Sequence, residues 1–175
     1  MPSSLVAYEM LLAAVVIERV IELVLSERHA RALLARGAIE HGAAHYAPMV
    51  ALHTAFIAGS ALEPWIAERP FIPALGLPML AVALAAQGVR WWAISTLGVH
   101  WNTRVIVLPS ARRITGGPYR FLTHPNYAAV VAEGVALPLV HSGFITAALF
   151  TALNAWLLTV RIRTENAALG AMRTA

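Results

Sequence analysis

The chain has 175 residues, of which 59% are hydrophobic and 13% charged, with a formal net charge of +4 and no cysteine. Soluble domains run at about 45–50% apolar and about 25% charged residues, so this is the balance of a single membrane domain, and the missing thiols exclude a disulfide framework and thiolate metal ligation. All 13 bases are arginine and all 9 acids glutamate, and the arginines are scattered between apolar runs, which excludes the one-sided basic stripe of a nucleic-acid binder.

Leu5 to Leu25 is long enough for a first span, and neither a cationic leading region nor a small-residue cleavage site marks it for removal. It carries Glu9, Glu18, Arg19 and Glu22. Arg19 and Glu22 stand at i,i+3 and Glu18 and Glu22 at i,i+4, so three charges share a face that must turn to a bundle interior or a polar cavity. An ion pair that orients the helix and a part in an active cavity are both open readings. From Ser26 to His45 the chain turns polar, and Arg28, His29, Arg31, Arg36 and Gly37 predict a helical extension followed by a turn. His41 and His45 have the i,i+4 spacing of a shared metal site; no third ligand accompanies them, so interfacial histidines are expected.

Tyr46 to Leu62 is a second apolar run, short for a span. Glu63-Pro64-Trp65 and Glu68-Arg69-Pro70 predict a loop with Trp65 as an interfacial anchor. Ile72 to Ile94 is a third span, bent by Pro73 and Pro78 and ending at an interface formed by Arg90, Trp91 and Trp92. Ser95 to Asn126 does not span; within it Val105 to Leu108 read as extended and partly buried, and Arg104, Arg112, Arg113 and Arg120 add positive charge.

The segment Gly116 to Tyr127 packs two tyrosines, an arginine, a histidine and two prolines between apolar runs. Such a stretch is costly in a membrane unless it binds something polar. Pro118 and Pro125 each fix a φ angle and push the preceding residue out of helical geometry, so a bent connector is expected, with Pro125 opening the next helix. Tyr127 to Val140 forms that helix, carrying Glu133 and broken by Pro138. His141-Ser142-Gly143 turns it, and Phe144 to Val160 returns, bringing Tyr127 and Arg161 to the same side.

Arginine placement predicts the topology. With the N-terminus outside, Arg28, Arg31, Arg36, Arg90, Arg104, Arg112, Arg113, Arg120, Arg161, Arg163 and Arg173 fall inside and Arg69 outside, the positive-inside pattern for five spans with the C-terminus in the cytosol. The expectation is an all-α integral membrane protein, one domain over 1–175, with a three-helix part at 1–94 and the motif-bearing region at 95–175.

Gly117-Pro118-Tyr119, then His124-Pro125-Asn126-Tyr127, then Arg161-Ile162-Arg163-Thr164-Glu165 with Leu169, resemble the integral-membrane isoprenylcysteine carboxyl methyltransferase family over the C-terminal half. The chain looks most like its short bacterial members, some of which methylate phenolic lipids made by type III polyketide synthases. Thr123 stands where the family usually has an arginine before His-Pro, and Asn166 where it has the second glutamate of a terminal pair. The resemblance implies S-adenosylmethionine as cofactor, contacts to it from Tyr119, His124, Pro125, Asn126, Tyr127 and Glu165, and backbone contacts from Arg112, Arg113 and Ile114. It also implies Arg161 as the catalytic residue facing the acceptor, a lipophilic small molecule entering from the membrane lipid of the bacterial inner membrane.

Physical chemistry of the residues runs beside this. Arg161 and Glu165 share a helix face at i,i+4; Arg161 can pair with a carboxylate or stabilise a phenolate, or it is a snorkelling arginine with a helical partner. A carboxylate acceptor is already ionised at neutral pH, whereas a phenol gains from a base, for which Glu133 and His124 are the candidates. Two other classes stay open: an NADPH-dependent membrane reductase of related architecture, and a non-catalytic membrane protein that retains the fold.

Overall fold

The computed structural model describes residues 3–109 and 111–171; Arg173, counted above in the topology, lies outside the described residues. Five helices alternate in direction: α1 (Ser3–Leu34), α2 (Tyr46–Ile66), α3 (Pro73–Leu97), α4 (Pro125–Leu139) and α5 (Phe144–Ala171). Two three-residue strands, β1 (Ile39–His41) and β2 (Val105–Val107), pair antiparallel with Ile39 opposite Val107 and His41 opposite Val105. The chain is therefore mostly helical but not wholly so. The polar stretch after α1, expected as a turn, adds an edge to Val105–Val107, whose three side chains are all buried.

Each helix begins and ends for a local reason. The expected first span and its polar extension are one helix of 32 residues, about 48 Å long at 1.5 Å per residue. It ends at Leu34, and the turn that follows closes on Gly37, whose φ of 85° suits glycine. Pro73 and Pro125 sit in the first turns of α3 and α4, where the missing N–H is no loss. Pro64, expected in a loop, lies inside the last turn of α2. Glu63 beside it reaches across to accept hydrogen bonds from the backbone N–H groups of Ile145 (3.0 Å) and Thr146 (2.8 Å), capping the start of α5.

Packing follows the 3–4 residue spacing of apolar positions. Leu5, Tyr8, Leu12 and Val15 of α1 meet Phe56 of α2, Leu137 of α4 and Phe150 of α5 in one buried cluster. The Tyr8 hydroxyl donates to the Leu137 carbonyl at 3.1 Å, fixing the start of α1 against the end of α4. Outward faces remain apolar: Ile17, Ile21, Leu77, Leu84, Leu149, Leu153 and Trp156 are exposed. Water would oppose such faces and lipid favours them.

Three helical segments are long and apolar enough to cross a membrane, Ala43–Ile66, Pro73–His100 and Phe144–Gly170. The other two helices differ in kind. α1 carries Glu18, Arg19 and Glu22 in its middle, and α4 has 15 residues, about 22 Å against a hydrocarbon core of about 30 Å.

The charges of α1 are matched inside the bundle. Arg19 bonds Glu22 at 2.7 Å, Gln87 at 2.8 Å and Glu133 at 3.1 Å, and Arg90 holds Glu22 through both Nε and a terminal nitrogen. Arg90, expected at an interface, is instead buried in α3, because Glu22 across the gap gives it a bidentate partner. Trp91 and Trp92 beside it do face outward.

Candidate active site

The end of the bundle where α1, α3 and α5 finish and α2 and α4 begin carries the site. Its floor is the connector from Gly98 to His124. Arg104 ties this connector to the one after α1, lying 3.7 Å from Glu27, 3.6 Å from Glu40 and over the Tyr46 ring at 5.2 Å from its centroid. Gly117 to Arg120 form a 3-10 turn opened by Gly117 at φ 55°. A side chain at Gly117 would stand 2.3 Å from the Thr96 hydroxyl, so glycine satisfies both the backbone angle and the close approach to α3. This turn delivers Tyr119, and the helix start at Pro125 delivers His124, Asn126 and Tyr127.

From the other side comes α5, which runs past the expected end at Val160 to Ala171. It places Arg161, Glu165 and Leu169 along one face of a continuous helix. The Tyr127 hydroxyl donates to Glu165 and accepts from Arg161 Nε at 2.8 Å. The Arg161 guanidinium also stands over the Tyr127 ring, 5.5 Å from its centroid. His124 stacks on Tyr127 with ring centroids 5.2 Å apart, and its Nδ1 lies 3.7 Å from a Glu165 carboxylate oxygen. Arg161 is buried, so its charge is held by Tyr127 rather than released to solvent as a snorkelling arginine would be.

These groups open onto a pocket of about 170 Å³. Arg112, Arg113, Ile114, Tyr119, His124, Asn126, Tyr127, Arg161 and Glu165, all expected at the site, line it together with Leu169. Pro125 does not line the pocket; it is fully buried and shapes the helix start beneath it. Thr123, in place of the arginine usual before His-Pro, lines the wall. Burial pushes the Tyr119 hydroxyl pKa up, and the Glu165 carboxylate adds to the effect, so Tyr119 is a neutral donor here.

Sequence reasoning missed Trp101, Asn102 and the β2 residues, which close the pocket from the connector side. His29 Nδ1 donates to the Trp101 carbonyl at 2.8 Å, which places the indole from α1. No short motif announces that contact.

A test of whether a polar cofactor suits the pocket comes from unmet hydrogen-bonding capacity. Trp101 Nε1, His124 Nε2 and Asn126 Oδ1 are buried without a partner among the described residues, and all three residues line this pocket. Buried polar groups are rarely left so. Two polar ring nitrogens, an amide oxygen, the Glu165 carboxylate and the guanidiniums of Arg104, Arg112, Arg113 and Arg161 form a set that fits the amino-acid and nucleoside groups of S-adenosylmethionine. Among the described residues no group of three metal-ligating side chains occurs, and His41 in β1 and His45 at the end of a 3-10 turn do not share the helix that the i,i+4 spacing assumed.

A second cavity, about 460 Å³ and mainly apolar, lies deeper among α1, α2, α4 and α5, walled by Val20, Val50, Phe56, Val130, Phe150 and Leu157. It shares Trp101, Asn102, Asn126, Tyr127 and Arg161 with the polar pocket. A polar chamber and an apolar chamber thus meet at one wall, with an indole, two amides, a phenol and a guanidinium on it.

The family model of the isoprenylcysteine carboxyl methyltransferase (ICMT) family matches residues 79–171. The chain is similar to a Bacillus subtilis (strain 168) protein, named "Uncharacterized protein YpbQ", at 36% identity over 161 residues, covering 91% of this chain and 95% of that one. It is also similar to an uncharacterized protein of Haemophilus influenzae at 27% identity over 160 residues, covering 90% and 91%. No solved structure matches it.

Proposed function

The chain belongs to the isoprenylcysteine carboxyl methyltransferase family of membrane methyltransferases, and from that premise we propose that it is an S-adenosylmethionine-dependent O-methyltransferase acting on a small lipophilic acceptor in the bacterial inner membrane. The single observation that carries this reading is the shared wall. One pocket offers unsatisfied polar groups for a water-soluble donor, the other offers apolar surface for a lipid, and Tyr127, Asn126 and Arg161 face both.

Bound in the polar pocket, S-adenosylmethionine would supply an electrophilic methyl carbon for in-line displacement by an oxygen. The chain's own residues do the rest. Arg112 and Arg113 offer pairing to the donor's carboxylate, and Glu165 accepts from its hydroxyl or ammonium groups. His124, Asn126 and Trp101 fill their vacant hydrogen-bonding positions on it. Arg161, fixed by Tyr127, orients the acceptor oxygen, a carboxylate or a phenolic hydroxyl, and balances its negative charge. The apolar walls exclude water, which would otherwise solvate that oxygen.

In this reading α1 and α4 cross the bilayer with the other three helices, the N-terminus lies outside and the C-terminus in the cytosol. Arginines then gather at the site end, on the face where the donor is made, and Arg69 sits at the opposite end. Incubating membranes with labelled methyl donor and identifying the labelled lipid by mass spectrometry tests the proposal. A labelled lipid ester or aryl ether that depends on this protein is expected; no protein-dependent label would overturn it.

A further inference from the structure

The apolar cavity has a second polar wall that the transfer site does not use. Arg19, Glu22, Arg90 and Glu133 all face it, and they form one connected set: Arg19 bridges Glu22 and Glu133, and Arg90 closes on Glu22. On the cavity wall itself two guanidiniums face two carboxylates; Glu18, 3.5 Å from Arg19 but not on that wall, is a third carboxylate held by Gln87 and Trp91. Asn154 on α5 and His53 on α2 line the cavity with them. Asn154 is 5% exposed, and its amide has no hydrogen-bond partner among the described residues. His53 Nδ1 donates to the Met49 carbonyl at 2.9 Å, which leaves Nε2 of the neutral ring as an acceptor turned away from the backbone.

A purely hydrocarbon tail is a poor occupant of such a wall. Each buried polar group left without a partner costs about 1–3 kcal/mol, and an uncharged ligand group that met them would recover it. A charged ligand group would be desolvated against a wall whose own charges are already paired with one another, and would have no free counter-charge there.

The position of this wall is fixed by helix geometry. Glu133 lies six residues beyond Tyr127 on α4, and Asn154 seven residues before Arg161 on α5, so both stand about 9–11 Å deeper than the transfer wall. We infer that His53, Asn154, Glu133 and Arg19 form a deep subsite that recognises an uncharged hydroxyl on the acceptor's chain, about 9–11 Å from the oxygen that receives the methyl group. The inference rests on the methyltransferase reading for the identity of that oxygen. It adds that the acceptor is a hydroxylated amphiphile rather than a plain fatty acid or alkylphenol.

Two matched probe pairs test it in detergent solution: hexadecanoate against its counterpart hydroxylated at the eighth carbon, and a para-alkylphenol against its counterpart hydroxylated at the fourth chain carbon. Affinities are measured by calorimetry for the parent and for Asn154→Leu, with S-adenosylhomocysteine as a control ligand. In at least one pair the hydroxylated member should bind the parent about tenfold tighter. That advantage should vanish in Asn154→Leu, which should bind S-adenosylhomocysteine like the parent. Equal affinity within both pairs, no binding of either hydroxylated probe, or an advantage that survives Asn154→Leu would overturn the subsite. The comparison in the parent needs no substitution, so a misfolded variant leaves it decisive. A hydroxyl advantage in a parent that ignores S-adenosylhomocysteine would sink the transferase reading and support the subsite.

Discussion

Tyr127 and Glu165, one at the start of α4 and the other near the end of α5, are joined by a hydrogen bond from the phenol to the carboxylate. Arg161 completes the join by donating to the same phenol. The bent connector and the last helix therefore close on a single pocket, and the chemistry proposed here depends on that closure.

Glu165 is the carboxylate that lines this pocket, and it also holds Tyr127 and faces His124. Removing its charge in Glu165→Gln should weaken S-adenosylhomocysteine binding about tenfold or more, as expected for loss of charge-assisted hydrogen bonds. Calorimetry checks this; an affinity equal to the parent's would remove Glu165 from the site.

Arg161 faces both chambers, but its proposed work is on the acceptor side. Arg161→Ala should lower turnover about 100-fold, the scale of losing one donor to a reacting oxygen, while donor affinity stays within about threefold. Arg161→Lys should recover little, because an ammonium cannot hold Tyr127 and the acceptor in the same planar fork. Single-turnover rates beside binding titrations separate the two effects.

Glu133 is held by Arg19 in the buried ion set. Glu133→Ala removes one partner of Arg19 but leaves Glu22 and Gln87 on it, and should destabilise the protein by about 1–3 kcal/mol, read as a lowered melting temperature in detergent. Glu133→Gln keeps the shape and should keep turnover on a carboxylate acceptor. A large loss of single-turnover rate at saturating acceptor in folded Glu133→Gln would instead bring Glu133 to the reacting oxygen and contradict its deep placement.

Gly117 combines a φ of 55° with a hydroxyl 2.3 Å from where a Cβ would stand. Gly117→Ala should cost about 1–2 kcal/mol from the left-handed backbone alone and weaken donor binding by displacing the Tyr119 turn. Adding Thr96→Ala should recover part of the affinity by relieving the clash, and a double-mutant cycle measures how much.

The natural chain has no cysteine, so single cysteines report topology cleanly. Glu68→Cys should react with an impermeant maleimide in intact cells, and Arg120→Cys only after permeabilisation. The reverse pattern, or both residues on one face, would contradict the five-span arrangement.

Much of the site end was legible in the sequence because prolines and glycine act locally. Pro118 and Pro125 announce a bent connector and a helix start, and the i,i+4 spacing of Arg161 and Glu165 is fixed wherever a helix holds. Contacts between distant residues carried no such signal. Ile39–His41 pair with Val105–Val107 across the two intervening helices α2 and α3, and a three-residue strand has too few side chains to show an alternating pattern. Pro64 looked like a loop residue because its cost to a helix is local, whereas Glu63 capping α5 is a tertiary contact. Arg90 resembled an interfacial anchor beside two tryptophans, and only the position of Glu22 on another helix shows why it turns inward. The apolar span is expected to end at Val160, and α5 continues beyond it as one helix to Ala171, which is what carries the i,i+4 pair Arg161 and Glu165 to the site.

The most direct measurement is calorimetric titration of the detergent-purified protein with S-adenosylhomocysteine and, separately, with NADPH. The account predicts saturable heat from the nucleoside thioether and none from the dinucleotide. Heat from NADPH alone would make the pocket a reductase's, and heat from neither would make it a retained scaffold; either result contradicts the account.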